Sequence, residues 1–171
     1  MALSLEFVPD LTSNARAVYR RSEFALEYAA DEGPSAQKDL HLQSTIETAL
    51  GMRIPKWFGI ADTATLVFSG SDADLVAFDA YTNIDRWTHT AEVPLPEISG
   101  VGRMRLASPP RDTDRIDLGV VPRFNFSPSQ GRLLITLGQV GIRHYQLSTC
   151  LIIGIADDGV ANFRVSNLIL Q

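Results

Sequence analysis

Arginine and aromatic side chains concentrate in one stretch of this sequence. Five arginines stand between positions 103 and 123, and Phe124 and Phe126 follow them. Cationic side chains that follow a phosphate backbone, with aromatic rings that stack on bases, are the composition of single-stranded nucleic acid binders. The residues that we predict as an interface or nucleic acid contact are Arg103, Arg105, Arg111, Arg115 and Arg123.

Three acidic residues interrupt this basic stretch. Asp112, Asp114 and Asp117 stand among the arginines, so mutual pairing within a surface loop explains the same residues. The net charge of −5 and the pI near 5.1 also argue against a general positive field that would hold nucleic acid or an anionic membrane. Nucleic acid is therefore a disfavoured partner, although a local basic patch remains an option.

Two short acidic clusters are candidate cation sites. Asp72 and Asp74 stand in one predicted turn, and Asp112, Asp114 and Asp117 stand in another. Carboxylates in such turns bind Ca²⁺ or Mg²⁺, but neither cluster has the EF-hand order of ligands. Aspartate is also favoured in turns because its side chain bonds its own backbone. We therefore predict that both clusters are turn residues.

Histidine and cysteine offer the remaining candidate chemistry. His41, His89 and His144 show no metal-ligand spacing, and a His and Asp site assembled in space from several strands is an alternative. Cys150 has apolar neighbours, which favour a buried thiol. A Gly-x-Ser-x-Gly elbow, a Walker loop and a dinucleotide fingerprint are all absent from the sequence. We predict no catalytic residue, no metal site and no cofactor.

Three aromatic residues are candidates for a pocket lining. Trp57, Phe58 and Trp87 are large enough to line a pocket or to seal a join between helices and a sheet. Core packing is the more common use of such residues, and it is our prediction for them.

The first third of the chain predicts helices. Leu11, Ala15 and Val18 recur at helical spacing, and so do Leu42 and Ile46. Asp10 or Ser13 is suited to cap the first helix, and Gly33-Pro34 to stop it. The predicted elements are a short strand or arm over residues 3–9, a helix from about residue 11 to 32, and a helix over 35–50 with Gly51 as its C-terminal cap.

After Gly51 the apolar residues change to a period of two, and turn residues recur at the spacing of an antiparallel sandwich or barrel. The longest alternation runs over 144–155 and predicts the longest strand. Asp158-Gly159 is a favoured hairpin turn, and the return strand closes the chain. The predicted strands are residues 64–68, 75–81, 86–93, 101–107, 116–121, 131–138, 144–155 and 160–170.

Together these elements predict an α+β fold that is mainly β. Two N-terminal helices precede an antiparallel β-sandwich or barrel, with a jelly roll among the options. We expect a single domain over residues 1–171, in which a mainly helical segment, 1–51, packs on an antiparallel β region, 52–171. The length of 171 residues and the 45% apolar composition are sufficient for one core.

The composition also bears on the compartment. A lone cysteine excludes an internal disulfide and fits a reducing environment. Residues 1–8 lack a basic segment and carry Glu6 within their apolar stretch, so we predict no signal peptide. No apolar run reaches the length of about 18 residues that predicts a bilayer span. We expect a cytoplasmic or virion location.

The absence of a catalytic motif and the preference for Arg over Lys favour a non-enzymatic structural protein. Its expected partners are copies of itself or other structural subunits, as in a coat, matrix or tail-type component of a virus or phage. One alternative is a β-barrel that binds a small apolar ligand. The other is an enzyme with a His and Asp site assembled from several strands.

Overall fold

A computed structural model of the protein describes residues 3–30, 55–138, 143–157 and 159–171. Within these ranges the regular structure is β-strand, together with one short 3-10 turn, η1, at Ile84–Arg86. In chain order the strands are β1 Leu5–Pro9, β2 Ala15–Arg20, β3 Ala25–Ala30, β4 Pro55–Ala61, β5 Ala64–Ser69, β6 Leu75–Tyr81, β7 Thr88–His89, β8 Gly100–Leu106, β9 Arg115–Asp117, β10 Arg123–Ser127, β11 Arg132–Thr136, β12 Arg143–Gln146, β13 Leu151–Ala156, β14 Gly159–Val165 and β15 Ile169–Leu170.

The strands form two sheets. The eight-stranded sheet has the order β1-β8-β12-β13-β14-β11-β10-β7, and the seven-stranded sheet has the order β15-β2-β3-β6-β5-β4-β9. Most neighbours are antiparallel, but β7 with β10, β8 with β12, β9 with β4 and β15 with β2 are parallel pairs. The chain passes between the sheets several times, so both sheets contain early and late strands.

The sheets pack face to face because alternate residues of each strand are apolar. The ring of Phe78 on β6 stacks on that of Phe163 on β14, with 5.3 Å between their centroids. Tyr19 on β2 packs against Trp87 beside η1 at 5.0 Å. One continuous cluster of buried apolar side chains includes residues of both sheets. Removal of this apolar surface from water is the main source of stability that such a layered fold has.

The predicted first helix is wrong, because the described part of that segment is a hairpin. β2 pairs with β3 antiparallel, from Ala15 opposite Ala30 to Arg20 opposite Ala25. Ala17 and Tyr19 are fully buried and alternate with more exposed neighbours, whereas Leu11, which the helix would bury, is 88% exposed. Sheet pairing and a burial period of two therefore determine the structure of this segment, which is a β-hairpin. The predicted helix over 35–50, with its cap Gly51, lies outside the described residues.

The fold class predicted from the sequence is therefore corrected. No α-helix occurs among residues 3–30, so the N-terminal segment is not a helical layer packed on the sheet. It supplies β1 to the eight-stranded sheet and β2 and β3 to the seven-stranded sheet. The sheets are also mixed, not purely antiparallel, because the short strands β7, β9 and β15 each join an edge in parallel.

The long strand predicted over 144–155 is two strands that pair with each other. β12 and β13 are antiparallel, with Tyr145 opposite Ile153. The chain reverses between them: Leu147 N–H donates to the Leu151 carbonyl at 3.0 Å, and the Ser148 hydroxyl accepts from Cys150 N–H at 3.3 Å. The apolar alternation in the sequence continues through the turn, because β12 and β13 both place apolar side chains in the core.

Other predicted strands are confirmed or shortened. The hairpin of β5 and β6 is confirmed, as are β1, β8 and β11 with small shifts of their ends. Of the strand predicted over 86–93 only β7 forms, and of that over 116–121 only β9 extends into the range. The β13 and β14 hairpin is present, but Ala156 pairs with Gly159, so Gly159 belongs to β14 and Asp158 lies outside the described residues. The chain then crosses to the other sheet as β15.

One glycine allows β1 to approach β8 closely. A Cβ atom at Gly102 would overlap the carbonyl oxygen of Val8 and lie 2.8 Å from the amide nitrogen of Asp10. Both contacts are with backbone, which relaxes less readily than the end of a side chain. Gly102 therefore fixes the position of the segment that carries Asp10.

We predict that Gly102→Ala lowers the free energy of unfolding by about 1–3 kcal/mol, because the added methyl forces β1 away from β8. Urea unfolding monitored by circular dichroism measures the change. Gly159→Ala is the matched control, since its Cβ would make an ordinary contact at 3.6 Å from the Ala156 carbonyl. Equal stability losses in the two variants would contradict the steric explanation.

Candidate functional site

The structure separates the five arginines that the sequence groups. Arg103 and Arg105 lie on β8 and Arg123 begins β10, both in the eight-stranded sheet. Arg115 begins β9 at the edge of the seven-stranded sheet, and Arg111 lies in the connection that precedes it. Of the five, the ion pairs of the described residues bring together Arg103 and Arg105. The five arginines therefore lie on three strands and one connection.

Arg103 and Arg105 converge on a buried carboxylate. Arg103 Nη1 donates to Asp74 Oδ2 at 2.6 Å, and its Nε lies 2.9 Å from Asp10 Oδ2. Arg105 Nε lies 3.8 Å from Asp74 Oδ1, which makes an ion pair without a hydrogen bond. Only 9% of Asp74 is exposed. We call these four residues, Asp10, Asp74, Arg103 and Arg105, the Asp74 cluster.

The turn between β5 and β6 delivers Asp74 to this position. Ser69 N–H donates to the Asp74 carbonyl at 2.8 Å, and the Ser69 hydroxyl accepts from Asp74 N–H at 3.1 Å. Ala73 adopts a left-handed backbone with φ of 57° inside the turn. The Asp74 carboxylate raises the pKa of Arg103 above its ordinary value, since it stabilises the charged guanidinium, while burial of Arg103 opposes the rise.

A cleft of about 310 Å³ lies beside the Asp74 cluster, between the edges of the two sheets. Tyr28, Leu75, Met104 and Leu147 contribute to its lining. Because carboxylates already neutralise Arg103, this first cleft offers no free cation to a phosphate. The explanation by mutual pairing therefore holds for Arg103 and Arg105, although their partners are Asp10 and Asp74 and not the acidic residues of their own stretch.

In the second acidic cluster, Asp117 has a turn role, and the backbone of Asp114 bonds to β4. Asp117 Oδ1 accepts from Gly119 N–H at 2.8 Å, and the Asp114 carbonyl accepts from Phe58 N–H at 2.7 Å. Asp112, Asp114 and Asp117 are all exposed. Among the described residues, no group of three or more His, Cys, Asp or Glu side chains is arranged to hold a metal ion.

The described histidines lie on distant strands. His89 is exposed on β7, edge-on to Phe126, and His144 is half-buried on β12. Five strand steps separate β7 from β12, which corresponds to about 24 Å at about 4.8 Å a step. Burial and the nearby Arg164 lower the pKa of His144. These two imidazoles do not form one site, and His41 lies outside the described residues.

Cys150 belongs to a buried polar cluster where β12 turns into β13. Its sulfur lies 3.9 Å from the Ser148 hydroxyl, and both residues are buried. Burial raises the pKa of the neighbouring Tyr28 to about 12, while a hydrogen bond with Ser148 opposes that rise and the Cys150 thiol adds to it. The Cys150 thiol is therefore buried, as the sequence predicts.

Both tryptophans are packing residues with a satisfied indole nitrogen. Trp57 Nε1 donates to the Pro110 carbonyl at 2.9 Å, and Trp87 Nε1 donates to the Thr82 hydroxyl at 2.8 Å. Each is buried, which confirms the prediction of core packing. Trp87 also stacks on Phe124, with 5.5 Å between centroids and 9° between planes.

A second cleft, of about 560 Å³, contains Arg123 together with Arg86. It lies where the β4 to β5 turn, the segment from Thr82 to Thr88 and the start of β10 meet. Arg86 was not among the predicted contact residues, because it stands 37 positions before Arg123 and because β10, the strand that begins with Arg123, was not predicted. The pairing of β7 with β10 brings the two segments together over two residues on each strand, which is too short to leave a pattern in the sequence.

Comparison of the chain with known proteins assigns no role to these residues. No known protein family model matches the chain, and no curated protein is detectably similar to it in sequence.

The Asp74 cluster predicts a stability effect. Asp74→Asn removes the negative charge that Arg103 and Arg105 share, so two like charges remain on one strand, and we expect a loss of about 1–3 kcal/mol in the free energy of unfolding. Chemical denaturation measures it. Asp112→Asn, at an exposed turn position, is the control. Equal losses for the two variants would show that the cluster contributes nothing specific.

The buried phenol of Tyr28 should make the free energy of unfolding depend on pH in the alkaline range. Since an unfolded chain ionises tyrosine near pH 10, the folded state alone keeps the Tyr28 proton between about pH 10 and 12. The stability that this group contributes is fully present below about pH 10 and is lost as the pH rises further, by on the order of 2 kcal/mol. Tyr28→Phe should flatten this fall in urea unfolding at a series of alkaline pH values. Tyr81→Phe, at an exposed tyrosine, controls for the loss of a phenol; an unchanged slope in Tyr28→Phe would contradict the assignment.

Proposed function

We propose that this protein is a non-enzymatic assembly subunit that associates with a second copy of itself through the β15 edge of its seven-stranded sheet. The observation that carries the proposal is a group of exposed apolar side chains at that corner of the molecule. Phe24, Tyr81, Ile169 and Leu170, which we call the β15 corner, are between 44% and 68% exposed. Exposed apolar side chains grouped at one corner are typical of a protein interface.

Hydrogen bonds bring these four residues to one corner. The Phe24 carbonyl accepts from Thr82 N–H at 2.8 Å, so Phe24 lies beside the end of β6, where Tyr81 stands. β15 pairs with β2, with Leu170 opposite Tyr19. Arg21 N–H then donates to the Gln171 carbonyl at 2.9 Å, which places the end of β15 against the β2 to β3 turn.

A second copy is the partner that this corner favours. Among the described residues β15 pairs only with β2, so the outer edge of β15 offers backbone donors and acceptors to another strand. Two copies related by a twofold axis would pair β15 with β15, so that the seven-stranded sheet of one copy continues into that of the other. Four of the flanking charges form ion pairs, Arg20 with Glu27 and Arg21 with Asp85. Glu23, beside Phe24, forms no ion pair among the described residues, so each copy brings one unpaired carboxylate to a twofold contact.

The geometry gives less support to the two alternatives. The apolar space between the sheets, lined by Phe78, Ile135 and Phe163 among others, has a volume of about 10 Å³, which is too small for an apolar ligand. An enzyme site built from His and Asp residues would need His89 or His144 beside the acidic clusters. Neither residue lines the two clefts described above.

Self-association of a β-sandwich is how coat, matrix and tail-type subunits of viruses and phages work, and our proposal extends to that class. In this role the protein acts through its surfaces, and its clefts serve binding and not covalent chemistry. The proposal also includes a location in the cytoplasm or in a virion.

We expect the protein to be a dimer or larger species in size-exclusion chromatography with light scattering. The double variant Ile169→Lys, Leu170→Glu places charges on the edge strand, which opposes pairing between strands. It should raise the dissociation constant by roughly a hundredfold or more, since two apolar side chains and the edge hydrogen bonds are lost.

Leu95→Glu is the matched control, because Leu95 is 52% exposed and lies outside the β15 corner. It should associate like the unaltered protein. A monomer at high concentration, or equal weakening by Leu95→Glu, would overturn the proposal. Circular dichroism of each variant separates loss of association from loss of folding.

A further inference from the structure

We infer that the second cleft binds a nucleoside phosphate, with the phosphate held by Arg86 and Arg123 and the base stacked against Phe124. This inference is independent of the proposed self-association. It rests on the position, charge and hydrogen-bonding state of the residues that line the cleft.

The two arginines are available to an anion. Arg86 and Arg123 are exposed, and neither side chain forms an ion pair or hydrogen bond within the described part of the chain. This distinguishes them from Arg103, which two carboxylates neutralise. A guanidinium binds phosphate through two parallel N–H donors. The carboxylate of Asp62 also lines this cleft, so the two guanidinium groups leave it with a net charge of +1, which attracts a single phosphate.

Polar side chains surround the arginines. Thr63, Thr88 and Thr136 line the same cleft, and their hydroxyl groups form no hydrogen bond with another described residue. Asn125 is between them on β10, opposite Thr88 on β7. Hydroxyl and amide groups of this kind complete the hydrogen bonds of phosphate and sugar oxygens. The cleft therefore offers more donors than two cations alone.

The aromatic wall of the cleft is held in place. Phe124 stacks on Trp87 at 5.5 Å, and Trp87 is fixed by its bond to the Thr82 hydroxyl and by edge contact with Phe126 at 5.6 Å. Phe124 is only half-buried, so part of it faces the cleft. A fixed aromatic ring contributes to base stacking at little cost in conformational entropy.

The volume and the charge favour a nucleoside phosphate over a bare anion or a long strand. About 560 Å³ lies within the range of small-ligand sites and exceeds the needs of a phosphate ion. The net charge of −5 opposes a polyanion but not one phosphate at a local pair of cations. Because the groups that bind are side chains and not backbone amides, this site does not need the glycine-rich phosphate loop that the sequence lacks.

Isothermal titration calorimetry tests the inference with adenosine monophosphate, uridine monophosphate, inorganic phosphate and a short oligothymidylate. We expect both monophosphates to bind more tightly than inorganic phosphate. Arg86→Ala and Arg123→Ala should each weaken binding roughly tenfold. Arg123→Lys, which keeps the charge and loses the paired donors, should give an intermediate affinity. Phe124→Leu should weaken the monophosphates without affecting inorganic phosphate.

Arg111→Ala is the matched control, because Arg111 is an exposed arginine that does not line this cleft. It should bind like the unaltered protein. Equal loss in Arg111→Ala, equal affinity for inorganic phosphate and the monophosphates, or no binding at millimolar concentration would each overturn the inference. A preference for oligothymidylate would assign the nucleoside phosphate to a nucleic acid strand, and a preference for the monophosphates would assign it to a free nucleotide; both results support the site.

Discussion

The backbone bridge between Asp74 and Arg105 joins the two sheets where β6 begins. Asp74 leads into β6 of the seven-stranded sheet, whereas Arg105 belongs to β8 of the eight-stranded sheet. Leu106 N–H donates to the Ala73 carbonyl at 3.0 Å in the same junction. The sheets are therefore not held by side-chain packing alone. This junction also fixes the side-chain charges, because the bridge places the Asp74 carboxylate beside Arg105 and the neighbouring strand position Arg103.

The remaining packing follows from that junction. With β8 held against the start of β6, Gly102 allows β1 to close over β8, and Asp10 then reaches Arg103. Ion pairs at exposed positions contribute little to stability, but Asp74 is largely buried, so an unpaired charge there would be costly. The cluster thus specifies one arrangement of β1, β6 and β8, and its arginines pair with carboxylates of two other segments.

Local patterns in the sequence predicted those parts of the fold that local contacts determine. The hairpin of β5 and β6 was predictable because apolar alternation and a short turn coincide over residues 64–81. The segment over 11–30 was not, because small alanines fit a helical period as well as a period of two. The period of two is visible at Ala17 and Tyr19, which are both buried, whereas the helical interpretation rested on Leu11, Ala15 and Val18. Only pairing with β6 and β15 decides between the two periods there.

The candidate site was less predictable, since it depends on contacts between distant positions. Proximity in sequence grouped Arg103 with Arg123, yet β8 and β10 are five steps apart in their sheet. No sequence pattern pairs Arg86 with Arg123, because the parallel contact of β7 with β10 spans only two residues on each strand. The sequence grouped Phe124 and Phe126 with the arginines; Phe124 lines the same cleft as Arg123, whereas Phe126 is buried.

The proposed interface and the proposed binding cleft share one element of the fold. η1 carries Asp85, which pairs with Arg21 beside the β15 corner at 3.9 Å, and Arg86, which lines the cleft. Tyr81 and Thr82 divide in the same way, since Tyr81 belongs to the corner and Thr82 to the cleft. Any shift of η1 that a ligand favours would therefore also move the flank of the proposed interface. When two binding sites are coupled in this way, each binding event changes the affinity of the other by the same factor. On the two proposals, self-association of this protein would therefore depend on whether the second cleft is occupied.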